Sequence, residues 1–265
     1  MDPELLWTAI AGYAVAAVLA ARALARGEAP GRAFAGVFAA SLAVHVVSVG
    51  VRWVRLGHGP FITFHETLSS NVLSLLGLYG LVWWAVPVVR AATAFAFPVP
   101  LLMAAWMVGS DPSPGHFPPT FATPLLYAHV LTGKVFLASF LVALSLGHVL
   151  VLRRFGVGLA TLPPDGVLAG VMHRFLGVAF VFDTAMLVVG ALWAQDAWGR
   201  WWDWDPLETW SFLTWISLGT SLHLRTAAPG RPALQAAVAG LAFVVAFLTF
   251  FGIPFVSTAQ HQGAI

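Results

Sequence analysis

Apolar runs of about twenty residues follow one another along almost the whole chain, each closed by charge, glycine or proline. A run of that length crosses the ~30 Å hydrocarbon core of a bilayer as a helix, and inside hydrocarbon only helices or closed barrels satisfy every backbone N–H and C=O. The runs predict about eight spans, at roughly 4–25, 33–55, 66–87, 89–108, 125–151, 167–194, 206–224 and 233–256. Composition agrees: 59% of the 265 residues are hydrophobic, 9% are charged, and the mean hydropathy is +0.85. The expected fold is an all-α polytopic membrane helical bundle, one domain over residues 1–265. The fourth span contains "FAFPVP", whose two prolines predict a kinked or shortened helix.

Charge placement sets an expected topology. The chain opens acidic before its first apolar run and basic after it, the reverse of a cleavable signal peptide, so the first span is expected to be retained with the N-terminus outside. Alternate loops then hold Arg22, Arg26, Arg32, Arg90, Arg153, Arg154, Arg225 and Arg231, as the positive-inside bias requires of the cytoplasmic face. An even number of spans puts both termini outside, in a plasma (inner) membrane. The formal net charge of +2 is too small to imply a nucleic-acid surface. With no cysteine, the chain offers no disulfide, thiolate metal site or Cys-x-x-Cys-His haem attachment site. No internal repeat is visible, which disfavours an inverted-repeat transporter.

The expected external loop 195–210, between the sixth and seventh spans, contains "WGRWWDWDPLETW", with five of the 12 tryptophans. Interfacial aromatic belts also collect indoles, but at scattered helix ends. Here Trp198, Trp201, Trp202, Trp204 and Trp210 alternate with Arg200, Asp203, Asp205 and Glu208. "DPLE" reads as a helix start, with Asp205 as N-cap, Pro206 at the first helical position and Glu208 completing a capping box. Two readings of Asp205 and Glu208 stay open, as caps alone or as ligand contacts. An aromatic platform with polar handles at a membrane surface suits a large, flat, mostly apolar ligand with a charged edge, and porphyrin is the obvious candidate.

The segment resembles the WWD signature of the CcsA/ResC-type cytochrome c biogenesis proteins of system II, through Trp198-Gly199, Trp202, Trp204-Asp205-Pro206, Glu208-Thr209 and Trp210. The similarity extends through "LLYAHVLTGKVFLASFLVAL", "GALWAQDAWG" and "LTWISLGTSLHLR", over roughly the C-terminal two thirds; "TFHETL" departs from the family pattern by placing His65 where an aromatic is usual. The resemblance implies a membrane subunit of a cytochrome c synthase, or haem lyase. Such a subunit transports haem b across the membrane and presents it for thioether attachment to the CXXCH motifs of apocytochrome c. It also implies a CcsB/ResB-like membrane partner and thioredoxin-like thiol reductants on the external side.

Among the 9 histidines, His129 and His261 flank the tryptophan loop, at the start of the fifth span and after the eighth. Two neutral imidazoles at one level supply both axial ligands of a haem iron. The alternative for each is an ordinary interfacial histidine; the resemblance implies a ligand at His129 and at His261. His223 lies ~27 Å along the seventh helix, near Arg225 and so at the inner side. There the resemblance implies a transmembrane haem histidine whose second imidazole comes from the partner. The expected haem-binding set is therefore His129, His261, His223, Trp198, Trp202, Trp204, Asp205, Glu208 and Trp210, with the three histidines on iron. His148 and His173, at a similar inner depth, read as hydrogen-bonding support or stand-in ligands, and His45 as a packed or hydrogen-bonded histidine. Arg52, Arg55, Arg200 and Lys134 lie in the outer half against the charge bias, as cations for carboxylates or as snorkelling side chains. Asp183 is an intramembrane carboxylate and a functional candidate, and Glu66 is expected to cap or line the start of the third span. Two rival functions remain, a b-type cytochrome subunit of a quinone-linked electron-transfer complex and a transporter of another amphipathic ligand.

Overall fold

The computed structural model describes residues 2–159 and 161–256. In chain order these form α1 (Asp2–Ala25), α2 (Arg32–Leu56), α3 (Phe64–Ala85), a 3-10 segment (Pro87–Ala96), α4 (Pro98–Met107), α5 (Pro124–Arg154), α6 (Asp165–Trp198), α7 (Pro206–Ala227), α8 (Pro232–Phe251) and the short α9 (Ile253–Val256). No strand occurs among the described residues. The eight expected spans are present, most beginning within two residues of the predicted start. Proline stands in the first turn of α4, α5, α7 and α8, where its missing N–H is no loss.

Seven spans, counting the 3-10 segment with α4 as one, are long and apolar enough to cross a membrane, so the chain is a multi-pass helical membrane bundle. The eighth, α7, has 22 residues, enough for ~33 Å, but is less apolar. Four of its hydroxyls are satisfied within the helix, where Thr214, Ser217, Thr220 and Ser221 each donate to the carbonyl four residues back. The fourth span divides as its prolines require. Ten residues in 3-10 geometry precede α4, a long run for that helix type. Arg90 braces the break, donating to the carbonyl of Trp83 at 3.0 Å with its guanidinium 4.8 Å from the Trp83 ring centre.

The bundle is organised around α5. Of its most apolar window 72% is buried inside the protein, against 22% for α6, and α5 packs on α3, α6, α8 and the 3-10 segment. The α1–α2 pair is joined to this body by a buried polar chain: the Tyr13 hydroxyl lies 3.3 Å from Nδ1 of His45, whose Nε2 lies 3.1 Å from the Ser69 hydroxyl on α3. His45 is thus the packed, hydrogen-bonded histidine expected.

At the end of the bundle that also carries the tryptophans, Glu66 is 1% exposed and completes a capping box with Thr63. Its carboxylate accepts from the backbone of Ile62 and from Arg52 Nε at 2.9 Å, while Arg52 also donates to the Pro112 carbonyl. Arg52 is therefore held by Glu66 and the 108–123 loop. In that loop Asp111 accepts from the backbone and hydroxyl of Ser113, which holds its carboxyl below the usual carboxylate range.

The arginine-rich end is ordered by Arg153, which makes five hydrogen bonds, to the carbonyls of Leu159, Leu162 and Pro163 and to Asp165 at 2.6 Å. A guanidinium has five N–H donors, so the loop after α5 is folded onto one side chain. Arg52→Met strands the Glu66 carboxylate without its cation, and should destabilise the protein by roughly 3–5 kcal/mol in detergent unfolding, whereas Arg26→Met, at an exposed pair with Glu28, should cost less than ~1 kcal/mol.

Candidate functional site

The tryptophan segment is more helical than expected on its α6 side only, since α7 starts at Pro206 as its capping chemistry predicts. Of residues 195–210, only 199–205 lie outside helices: Trp198 ends α6, and Glu208 and Trp210 belong to α7. Gly199 terminates α6 with φ 74°, a left-handed cap that favours glycine. Asp205 caps α7, its carboxylate accepting from Glu208 N at 2.8 Å. Glu208 does not close the expected capping box on Asp205; it reaches further and accepts from Asp203 N at 2.7 Å. Arg200 pairs with Asp203 at 2.8 Å. The polar residues of the segment thus fold its backbone, and leave the indoles to line or cover the surface.

His129 stands beside the segment, on the first turns of α5. Its Nδ1 lies 3.0 Å from the carbonyl oxygen of Met186 on α6. A carbonyl oxygen only accepts, so the proton sits on Nδ1 and the imidazole lone pair on Nε2. The approach depends on Gly190, since a Cβ at that position would lie 2.8 Å from ring atoms of His129. On its face the imidazole stacks with Trp193, ring centres 6.1 Å apart and planes 23° apart, and Trp193 meets Trp198 at 4.9 Å. The indole N–H of Trp193 donates to the Thr120 carbonyl, which fixes the ring against the 108–123 loop.

Two clefts share His129, Trp193 and Leu207 in their walls. The larger encloses about 1020 Å³, including space open to the surroundings, among Phe61, Phe64, Asn71, Phe121, Val130, Lys134, Trp198 and Phe250. The smaller, about 460 Å³, is bounded by Met186, Trp201, Trp202, Glu208 and Ser211. Trp202 Nε1 is buried without a hydrogen-bond partner among the described residues. Trp204 is 64% exposed and touches Trp202 and Phe212 edge-on. Its φ is 56°, a strained setting for a bulky side chain. Trp210 is half-buried, and its carbonyl accepts from the hydroxyls of Thr214 and Thr249, which ties α7 to α8.

His129, Trp198, Trp202 and Glu208 are therefore brought together, with Asp205 behind them and Trp204 at the surface. His223 is elsewhere, on an exposed face of α7, 17 residues beyond its first residue and so ~26 Å along it. His148 is exposed too, bonded to the Leu144 carbonyl and stacked on Phe95 at 5.6 Å. His173 is buried, with Nδ1 on the Ala169 carbonyl and Nε2 without a partner among the described residues. Asp183 is fully buried, its carboxylate oxygens unpartnered among the described residues. His261 lies outside the described residues.

Sequence reasoning missed Trp193 and Gly190. They are three residues apart on α6 and so share a face, but only the position of α5 shows that this face meets His129. Trp204→Gly removes an exposed indole together with its left-handed strain of ~1–2 kcal/mol, so unfolding stability should change by less than about 1 kcal/mol, where truncating a well-packed buried tryptophan costs ~3–5 kcal/mol.

Comparison with known proteins bears on this arrangement. The family profile described as cytochrome C assembly protein matches residues 62–261, a stretch that begins just before α3 and includes α5, the tryptophan segment and every lining residue of the two clefts except Phe61. Cytochrome c biogenesis protein CcsA of Panax ginseng and that of Lactuca sativa are each 39% identical to this chain over 90 residues, 34% of this chain and 28% of the relative. The aligned part is thus well under half of either relative's length. Among solved structures, "Cytochrome c Heme Lyase CcmF" superposes with a TM-score of 0.72 at 16% identity, covering 95% of this chain and 46% of that one, which is a likeness of fold. With its family profile spanning His129 and the tryptophan segment beside it, the chain belongs to the cytochrome c assembly protein family.

Proposed function

We propose that this protein is the haem-handling membrane subunit of a cytochrome c synthase. In this reading it takes up haem b near the arginine-rich end, carries it across the plasma membrane, and presents it at the tryptophan end to apocytochrome c. The observation that carries the proposal is His129. Its tautomer is set by a backbone carbonyl, the arrangement by which protein scaffolds orient metal-binding imidazoles, and it stands in the shared wall of two aromatic clefts.

The residues present fit the group. An imidazole with its lone pair on Nε2, an apolar cleft with indole and phenyl walls, and a cation at the margin match iron, macrocycle and carboxylates in turn. His129 would bind the iron from α5, and His261 is the second expected ligand. Trp193 and Trp198 would hold the ring plane in the larger cleft, while Trp202 and Trp204 would cover the approach from the loop. Asp205 and Glu208 serve by holding the loop in place. Bound haem supplies the vinyl groups to which the reduced thiols of a CXXCH motif add. The protein contributes orientation and effective concentration, with the indoles excluding water beside the ring.

Partners follow from what the chain lacks. Without cysteine, the thiol reductant must come from outside it, as a thioredoxin-like protein on the side where haem is presented. His223 stands on an exposed face, so a second imidazole there would come from a CcsB/ResB-like membrane partner. In this reading the tryptophan end and both termini face the external side, which the arginine bias supports.

The protein purified from haem-replete cells should show the absorption of a histidine-ligated haem. His129→Ala should abolish the external-site signal, and Gly190→Ala, which displaces that imidazole, should weaken haem binding by about 10–100-fold. Absence of haem in the wild type would refute the reading. Reconstitution with an apocytochrome, a thiol reductant and the co-purifying partner should yield haem resistant to acid-acetone extraction; extractable haem alone would favour the b-type cytochrome reading.

A further inference from the structure

The larger cleft holds a charged side chain that the fold does not explain. Lys134 lines it from α5, and its Nζ donates to the Ser70 hydroxyl at 2.9 Å. No carboxylate pairs with Lys134 among the described residues, and it is the single ionisable amine or guanidinium in the wall of this cleft. An ammonium withdrawn from water and left with a neutral partner is unfavourable, because burying a charge is tolerated chiefly when the charge is paired. The neighbouring Ser70 and Asn71 side chains donate to the Thr67 carbonyl of their own helix, so the Ser70 hydroxyl meets Lys134 only as a neutral acceptor and brings no negative charge to it.

Placement gives the charge a use. The cleft-lining residues of α5 are Leu126, His129, Val130, Gly133 and Lys134, spaced i, i+3, i+4, i+7 and i+8, which is one helix face. His129 and Lys134 stand at its two edges, ~7.5 Å apart along the axis, with Val130 and Gly133 between them. One face thus carries a metal-binding imidazole at one side, a small apolar floor in the middle and a cation at the other. We infer that Lys134 is the anion-binding residue of this cleft, pairing with a carboxylate at the edge of the porphyrin while His129 addresses its iron. The inference rests on the haem reading above and extends it by assigning which chemical group of the ligand is recognised, and by which residue.

The test compares haemin with haemin dimethyl ester, identical rings of which only the first carries ionised carboxylates. Both are titrated into the full detergent-solubilised chain and followed by absorbance. Wild type should bind haemin more tightly than the ester by about tenfold to a hundredfold, the range for a hydrogen bond to a charged group. Lys134→Met should bind both porphyrins alike, at about the wild-type affinity for the ester, and Lys134→Arg should restore part of the preference. A Lys134→Met protein that keeps the wild-type preference for the acid would overturn the assignment while leaving haem binding intact. Wild type binding both porphyrins equally would overturn it too, and wild type binding neither would overturn the haem reading together with it. A control at another cation, Arg26→Met, should leave the preference unchanged, because Arg26 is exposed, pairs with Glu28 and does not line this cleft.

Discussion

Hydrocarbon offers backbone N–H and C=O groups no partner, so nearly every residue between the two ends of this bundle must be helical, and irregular chain is confined to those ends. That constraint decides where a site can be built. The loops at one end converge on arginines and backbone carbonyls, and those at the other bring aromatic rings, acids and His129 together. The fourth span is the exception within the body of the bundle. There the prolines force a 3-10 segment, and Arg90 folds back on Trp83 to occupy carbonyls that the altered ladder leaves over.

Polar side chains inside the bundle are mostly satisfied, and their partners show what each one does. His45 joins three helices, Glu66 caps one helix and holds the arginine of another, and the Thr214–Thr249 pair at 2.9 Å joins α7 to α8. Against this background the side-chain atoms without partners among the described residues stand out, on Trp202, His173 and Asp183. Trp202 borders a cleft beside His129. Asp183 lies one turn along α6 from Met186, whose carbonyl orients that imidazole, so the α6 face that receives His129 also carries the buried carboxylate. Lys134 completes the pattern on α5, a cation whose nearest partner is neutral.

Much of the fold was legible because helix length in a membrane is dictated by bilayer thickness, and proline, glycine and charge mark the ends of each run. Residues 125–151 were expected as a span, and α5 occupies Pro124–Arg154; the kink at "FAFPVP" became a division into two helix types. The start of α7 at Pro206 followed from capping chemistry, which is local in sequence. The reach of Glu208 to Asp203 was not legible, because it depends on the path of residues 199–205, where Trp204 takes a left-handed conformation that sequence pattern does not announce in a tryptophan. The run of α6 on to Trp198, beyond the expected end of its span at 194, was not legible either.

The sequence alone determined the solvent of this protein, where its apolar helices lie along the chain and the register of its family residues, since each of these depends on composition and spacing along a single chain. Tertiary structure decided which of the described histidines stands in an aromatic wall, which tryptophan stacks on it, and which cation in the cleft has a neutral partner and no carboxylate among the described residues. Those outcomes depend on how one helix rotates against another: Gly190 can receive an imidazole only because α5 presents His129 to that face of α6, and periodicity within either helix carries no information about their mutual rotation.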